Sequence, residues 1–287
     1  FMNDTKIQSV GFLIFDGFPM ACLTSMIEPL RAANEISGRN AFAWSLVSEN
    51  MEKTHSSAGI SFDPDLALSD LTRPDYLFLL GPPKGQFSNP KIGFGALRAL
   101  ARHGSILGGV SGGVFPLVRS GVMAGHVVSV HWCYDAAFRS EFPEVQASDQ
   151  VIEVSSRRYT ASGAAAAFDL SLRLIENRLG ADVATEVACW FQHPLMRGEG
   201  VRQSIPTYRR ATTDATLPPV VAKAVAIFAA HLDAPISVAE VAVEVGVSAR
   251  QIERSFKKAT GQSPSHYYRS LRMKAAKQLV MYSKDSM

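Results

Sequence analysis

Short apolar runs alternate with amphipathic stretches over the first two-thirds of the chain. Each run is a few residues long and bounded by turn residues, as in the run from Gln8 to Phe15, which is followed by Asp16-Gly17. Such runs are typical of buried strands, and the stretches between them repeat apolar residues every three or four positions, as helices do. Strands alternating with helices predict an α/β fold with a parallel sheet and helices on both of its faces. The predicted strands are 8–15, 42–48, 76–80, 105–110 and two short ones within 151–162, and the predicted helices are 19–34, 95–103 and 164–177.

The pattern changes after residue 197. Residues 198–219 are rich in Gly, Arg, Thr, Ser and Pro and lack apolar periodicity, which is typical of a linker. We therefore predict two domains, residues 1–197 and residues 220–287, and 287 residues are enough for each to bury a core.

Two helix start signals stand close together in the second domain. Ser237 and Glu240 have the spacing of a capping box, in which each side chain bonds the backbone N–H of the other residue. Gly246 ends that helix, and Ser248 with Gln251 repeats the spacing two residues later. Two helices joined by a turn that contains glycine predict a helix-turn-helix motif, followed by an all-α remainder.

Positive charge is concentrated near the C-terminal end. The chain carries +3 in total, but residues 248–284 hold nine Lys/Arg against the single acid Glu253, so the rest carries −5. Such asymmetry is typical of a surface that meets nucleic acid. A 47% hydrophobic composition excludes a disordered chain, and the three scattered cysteines predict no metal site. Because no apolar run is long enough for a membrane span and no secretory signal is visible, we expect a cytoplasmic location and no membrane contact.

The predicted helix over 248–260 has one apolar face and one polar face. Ile252, Phe256 and Ala259 share the face that we expect to pack inward. Arg and Gln side chains can read guanine and adenine edges in the major groove, and lysines suit phosphates. The alternative is a charged helix face that meets only solvent. The residues on the polar face are Arg250, Gln251, Glu253, Arg254, Lys257 and Lys258.

Residues 236–280 read ISVAEVAVEVGVSARQIERSFKKATGQSPSHYYRSLRMKAAKQLV. This stretch resembles the first helix-turn-helix and the linker helix of the AraC/XylS family of transcription regulators. The resemblance implies a sequence-specific regulator of double-stranded promoter DNA, with Arg250, Glu253 and Arg254 on the base-contacting face and Gln251 beside them. The family's unit has two such motifs, and the second would begin at about Met287, so we expect it to lie outside this sequence. The matching residues are Ala242, Gly246, Ser248, Arg254, Phe256, Lys257, Gly261, Ser263-Pro264, Tyr267 or Tyr268, Arg272, Ala276 and Leu279.

A pentad in the first domain invites an enzymatic interpretation. Residues 109–113 fit G-x-S-x-G, the nucleophile elbow of α/β hydrolases, and they follow an apolar strand. An acid and a histidine follow in the order Ser, Asp, His, but no oxyanion-loop signature of the His-Gly-Gly type is visible. The pentad thus leaves open a serine-dependent hydrolase or amidase that uses Ser111. The candidate acids are Asp135 and Asp169, and the candidate bases are His193 and His231.

A second resemblance covers more of the first domain, from about residue 8 to residue 195. The segments FDGFPMACLTSMIEPLRAAN, HWCYDAAFRSEFPEV and YTASGAAAAFDLSLRLIE, with the Ser111 turn between the first two, occur in this order. They resemble the ThiJ/PfpI domain, which is class I glutamine amidotransferase-like, as it is found fused to AraC-type regulators of the GlxA-like group. The resemblance implies a flavodoxin-like parallel sheet.

The same resemblance identifies where catalytic relatives hold their active residues. A cysteine nucleophile, a histidine directly after it and a glutamate of the first helix correspond here to Ser111, Gly112 and Glu28. A serine needs an adjacent base to become a nucleophile, and glycine supplies none. The turn that lends N–H groups to an oxyanion reads Pro82-Pro83, and proline has no N–H. We therefore expect a vestigial site and no enzyme.

A domain of this kind without catalysis is expected to sense a small molecule. In an open α/β sheet, ligands bind where the strands end. A carboxylate beside Trp132 suits an amine or quaternary ammonium metabolite through cation–π contact. The alternatives are that His131 and Trp132 are core residues and that Asp16 only shapes its turn. We expect no cofactor, and a homodimer formed through the first domain. The predicted ligand-binding residues are Asp16, Glu28, Pro82, Ser111, Gly112, His131 and Trp132.

Overall fold

The computed structural model describes residues 6–193, 200–203 and 217–282. These form two compact units, the first extending to Gln203 and the second holding the helices from Pro219 onward. Residues 200–203, which the sequence assigns to the linker, are hydrogen-bonded to the first unit, for example through the Val151 N–H and the Val201 carbonyl at 2.8 Å. Residues 204–216 lie outside the described part, so the linker stays a prediction.

The first unit is built around a mostly parallel sheet of seven strands in its described residues. Two pairs of two-residue strands lie beside it. The strands are β1 (Gln8–Ile14), β2 (Phe42–Ser48), β3 (Thr54–His55), β4 (Ser61–Phe62), β5 (Leu66–Ala67), β6 (Tyr76–Gly81), β7 (Ile106–Ser111), β8 (Val128–Ser129), β9 (Ala147–Ser148), β10 (Ile152–Ser155) and β11 (Arg158–Ala161).

The strand order in the main sheet is β10-β11-β7-β6-β1-β2-β5. All neighbours are parallel except β10 and β11, which form an antiparallel hairpin at one edge. In the register of β6 and β7, Gly81 lies opposite Ser111, the last residue of its strand. Because β1, β6 and β7 run in parallel, their carboxyl ends meet at one edge of the sheet.

Helices cover both faces of this sheet, as the sequence predicts. Alternate residues of β6 point to opposite faces, so Phe78 and Leu80 enter one hydrophobic cluster while Leu77 and Leu79 enter another. The first cluster includes α1, α5 and α6, and the second includes α2, α3 and α4. The helices are α1 (Met20–Ser37), α2 (Pro90–Arg102), α3 (Val114–Arg119), α4 (Asp135–Glu141), α5 (Ala164–Leu179) and α6 (Ala181–Trp190).

The predicted and observed elements differ mainly at the short ones. Helix α2 begins five residues before the predicted 95–103, because the Asn89 side chain caps the Ile92 N–H and Pro90 needs no partner at the first helical position. Helices α3 and α4 have six and seven residues, fewer than two turns, so no apolar periodicity could reveal them.

The second unit is all-α in its described residues. Its capping box is confirmed, because Ser237 and Glu240 each accept from the other's backbone N–H. Ser248 accepts from the Gln251 N–H, which is one half of the predicted second box. Phe228, Phe256 and Tyr267 lie in its core. The helices are α7 (Pro219–Ala230), α8 (Val238–Val245), α9 (Ala249–Thr260) and α10 (Pro264–Tyr282).

Candidate nucleic-acid interface and strand-end site

Helices α8 and α9 form the helix-turn-helix of the second unit. Gly246 ends α8 in the left-handed conformation at φ 85°, and its N–H bonds the Ala242 carbonyl. Only glycine adopts this conformation without steric cost, which explains a sharp turn of two residues before Ser248. The turn therefore sets where α9 begins.

The orientation of α9 about its own axis is set by the core. Ile252 and Phe256 are fully buried, and Ala259 packs against the same cluster, as the sequence predicts. The Phe256 ring lies 5.9 Å from the Phe228 ring and 5.5 Å from the Tyr267 ring, centroid to centroid, in edge-on contacts. A helix held by two aromatic contacts presents its opposite face at a defined angle.

That opposite face is polar and open. All six predicted DNA-contacting residues are exposed, and within the described part of the chain none of their side chains is bonded to another residue. Such side chains keep their hydrogen-bond donors and acceptors for a partner. The structure therefore gathers the six on one surface, while the role of each in DNA binding stays a prediction. These residues are Arg250, Gln251, Glu253, Arg254, Lys257 and Lys258.

In the first unit, the turns that follow β6 and β7 press directly against each other. A Cβ atom on Gly112 would lie 2.4 Å from the Gly81 carbonyl oxygen, and one on Gly113 would lie 2.0 Å from the Leu79 carbonyl oxygen. Ser111 has φ 55°, a left-handed backbone that is rare for a residue other than glycine, and it is 5% exposed. The Ser111 turn thus has the backbone shape of an elbow, and its glycines are required by packing.

The turn after β1 joins the same edge. The Cβ position of Gly17 lies 3.4 Å from Cγ of Pro82. The Asp16 carboxylate accepts from the His55 backbone N–H at 2.9 Å and lies 3.3 Å from its Nδ1. Asp16 therefore shapes its loop, but its side chain is 77% exposed and keeps oxygen atoms for another partner.

An aromatic segment, residues 131–134, adds a further group of side chains. The ring of His131 lies 5.4 Å from the rings of both Trp132 and Tyr134. Its Nδ1 lies 2.8 Å from the Cys133 thiol sulfur. Burial lowers the pKa of His131 below its usual value, which favours the neutral imidazole.

Tyr134 links this segment to the Ser111 turn. Burial raises the pKa of Tyr134, and a hydrogen bond with the Ser111 side chain opposes that rise. Sequence reasoning missed Tyr134, because a tyrosine beside a predicted core segment carries no distinctive pattern. We call the turns at 16–17, 81–83 and 111–113, together with residues 131–134, the strand-end site.

The predicted acid and base partners of Ser111 are bonded elsewhere. Glu28, which corresponds to the glutamate of the catalytic relatives, pairs with Arg31 at 2.9 Å and is 47% exposed. Asp169 and His193 do form a pair at 2.8 Å, and Asp135 pairs with Arg139. In the part of the chain that the structure describes, Ser111 is bonded to none of these groups.

A cavity of about 420 Å³ lies elsewhere in the first unit, between the end of α3 and the start of β8. It is lined mainly by apolar groups such as Val118, Met123 and Val145, with His126 and Glu144 at its polar part. None of the predicted ligand-binding residues lines it. Over the described ranges, the structure contains no group of three or more His, Cys, Asp or Glu that would hold a metal ion, and no helix long and apolar enough to cross a membrane.

Comparison with known proteins identifies the family of this chain. Residues 241–287 match a family model described as a helix-turn-helix domain. The HTH-type transcriptional regulator GbdR of Pseudomonas aeruginosa is 35% identical over 273 residues, which cover 95% of this chain and 74% of that protein. The chain belongs to the AraC-type helix-turn-helix transcriptional regulators.

Further similar proteins include another curated regulator and two solved structures. The HTH-type transcriptional regulator GlxA of Rhizobium meliloti is 26% identical, covering 98% of this chain and 86% of that protein. An AraC family transcriptional regulator from Pseudomonas putida has a TM-score of 0.59 at 24% identity, covering 64% of this chain and 99% of that structure. A ThiJ/PfpI family protein from Pseudomonas syringae has a TM-score of 0.56 at 16% identity, over 69% and 81%. The structural likenesses confirm the predicted fold.

Proposed function

We propose that this regulator reads promoter DNA with the exposed face of α9 and binds a small-molecule effector at the strand-end site, where it performs no catalysis. The observation that most strongly supports the absence of catalysis is the set of groups around Ser111. The serine keeps the elbow backbone, but Tyr134 is its polar neighbour and Gly112 leaves no room for a base. A hydroxyl without an adjacent base is a poor nucleophile.

The DNA-reading role is tested by binding to promoter fragments. Arg250 and Arg254 are four residues apart on α9, so both project from the same exposed face. We expect the Arg250→Ala/Arg254→Ala variant to lose affinity and to relax sequence preference when compared with the unaltered chain in a quantitative gel-shift titration. Unchanged affinity and preference would remove α9 from the interface.

The effector class that fits the strand-end site is an amine or a quaternary ammonium compound. Three aromatic rings, those of His131, Trp132 and Tyr134, lie together, and the Asp16 carboxylate belongs to the same edge of the sheet. Aromatic faces attract cations, and a carboxylate adds charge complementarity. Glu28 contributes only if a ligand competes with Arg31 for its carboxylate.

A matched pair of probes tests this class. Choline and its uncharged carbon analogue 3,3-dimethylbutanol have nearly the same shape, so a difference in the melting temperature shift isolates the charge. We expect choline to raise the melting temperature and 3,3-dimethylbutanol to leave it unchanged. We expect Trp132→Leu to abolish the shift that choline causes. Trp190→Leu is the control, because Trp190 lies on α6 and is 52% exposed. Equal shifts for both probes would overturn the cationic class.

A serine-dependent hydrolase is the second candidate, favoured by the left-handed backbone of Ser111 alone. Turnover of ester and amide panels by the unaltered chain and by Ser111→Ala separates the two functions. Turnover that depends on Ser111 would establish the enzyme and exclude a purely sensing role.

We also propose that the regulator acts as a homodimer, because two-fold related helix-turn-helix motifs bind paired half-sites. We propose the cytoplasm as its location. Light scattering of the full chain, with and without DNA, measures the oligomeric state.

A further inference from the structure

A largely buried arginine lies at the end of α3, next to the strand-end site. The Arg119 side chain is 9% exposed, and its guanidinium donates four hydrogen bonds. Nε and Nη2 donate to the two carboxylate oxygens of Glu141 at 2.6 and 2.9 Å. Nη1 donates to the Gly85 carbonyl at 2.7 Å, and Nη2 donates to the Pro83 carbonyl at 2.9 Å. The guanidinium carbon also lies 5.7 Å from the centre of the Phe115 ring.

These bonds join two parts of the strand-end site. Pro83 and Gly85 belong to the turn after β6, which closes through a bond from the Gly85 N–H to the Pro82 carbonyl at 2.9 Å. This is the turn against which Gly112 packs. Glu141 is the last residue of α4, and α4 begins directly after the aromatic segment 131–134. One cation therefore holds the proline turn and the helix that continues from the aromatic segment.

The geometry requires an arginine. A guanidinium is planar and offers five N–H donors in fixed directions, so it can bind a carboxylate with two bonds and still reach two carbonyls. A lysine ammonium is a compact charge with three N–H donors, so it cannot make all four of these hydrogen bonds, nor the planar two-bond contact with the carboxylate.

We propose that Arg119 is the positioning residue of the strand-end site. By binding Pro83, Gly85 and Glu141 together, it makes the proline turn and the aromatic segment move as one body. An effector that shifts one of them then shifts the other and the α4 helix with it. The part of this inference that concerns an effector rests on the proposed function, while the part that concerns the turn does not.

The test compares Arg119→Lys with Arg139→Lys in the full chain. Arg139 is the matched control, because it lies on α4 and pairs with a carboxylate, Asp135, but is 58% exposed. Hydrogen exchange is measured on the peptides that cover residues 82–87, with those of β1 and α5 as internal references. We expect Arg119→Lys to speed exchange of the turn by about tenfold or more with little change in the references, and Arg139→Lys to change neither.

Probe binding provides the second readout. We expect Arg119→Lys to raise the choline concentration that gives half of the maximal melting temperature shift, beyond any change in the melting temperature of the free protein. Should Arg119→Lys fail to fold, Glu141→Gln carries the test, since it removes the counter-charge and leaves the two carbonyl bonds of Arg119 in place. We expect this variant to loosen the turn and α4 by a smaller factor.

The outcomes separate the two proposals. Turn exchange at the unaltered rate in Arg119→Lys, or in Glu141→Gln where Arg119→Lys does not fold, would overturn the positioning role. A loosened turn in the variant would support the positioning role even if the unaltered protein shows no choline shift. That absence of a shift would refute the cationic effector class. A loosened turn with unchanged half-maximal choline concentration would overturn the coupling between Arg119 and the ligand.

Discussion

The strand-end site and the exposed face of α9 are built in opposite ways. In the strand-end site, backbone meets backbone: the turn of Gly112 and Gly113 approaches the carbonyls of Leu79 and Gly81 so closely that no side chain fits between them. On α9 the backbone N–H and carbonyl groups are bonded within the helix, so a partner is contacted by long side chains such as Arg250 and Arg254. Substitutions in the first region should therefore act on folding, and substitutions in the second on binding alone.

The largest effect is expected in the strand-end site, when the histidine of the catalytic relatives replaces Gly112. Gly112→His places a Cβ atom 2.4 Å from a carbonyl oxygen that the sheet holds in place. We expect a loss of about 3 kcal/mol in the free energy of unfolding, the upper end of the usual cost of overpacking. Urea unfolding followed by tryptophan fluorescence reports on the first unit, because Trp44, Trp132 and Trp190 all belong to it.

The control for that variant is Gly95→Ala. Gly95 lies in α2, and a Cβ atom there meets no atom within 4 Å. Alanine should stabilise the helix by about 0.5 to 1 kcal/mol relative to glycine. A Gly112→His protein as stable as the unaltered chain would show that the two turns can separate.

The opposite behaviour is expected on α9. Arg250→Ala and Arg254→Ala should each weaken binding to a cognate promoter by about 1 to 3 kcal/mol, because each removes a candidate base contact. Neither side chain is packed, so the free energy of unfolding should stay within about 0.5 kcal/mol. Fluorescence anisotropy with labelled DNA and thermal unfolding followed by circular dichroism provide the two measurements.

A substitution at the start of α9 lies between these extremes. The Ser248 side chain caps the Gln251 N–H at 3.2 Å, and removing a cap of this kind costs about 1 kcal/mol. Ser248→Ala should therefore destabilise the second unit and weaken DNA binding by less than either arginine variant. The exposed Ser265 on α10 offers a serine-to-alanine control, for which no such loss is expected.

The smallest effect concerns pH. Burial lowers the pKa of His131 in the folded protein, so the unfolded chain binds a proton more readily. The contribution of the neutral His131 to the free energy of unfolding is complete above the unfolded pKa of about 6.5. It declines as the pH falls below that value towards the lower pKa of the folded protein. Unfolding of the first unit at about pH 7.5 and about pH 5.5 measures the decline.

His131→Gln should make that decline shallower, and His103→Gln, on an exposed residue, should leave it unchanged. His126 also has a lowered pKa, through burial and the nearby charge of Arg158, so part of the slope should persist in His131→Gln. A slope equal in all three proteins would exclude His131 as a contributor.

Features that depend on neighbours along the chain can be predicted from the sequence. The apolar run at 42–48, bounded by turn residues, predicts strand β2 with the bounds that the structure shows. The Ser237–Glu240 capping box and the inward face of Ile252 and Phe256 follow from spacing within a single helix. Family membership of the second unit rests on the same dense local pattern, confirmed by the relatives.

Tertiary structure alone decided how distant segments meet. Nothing in the sequence reveals that Tyr134 becomes the neighbour of Ser111, 23 residues earlier in the chain. The link from Arg119 to Pro83 and Glu141 spans 36 and 22 residues of sequence, so no local pattern predicts it. Local propensity specifies the elements, but the partner of a side chain depends on which elements the sheet brings together.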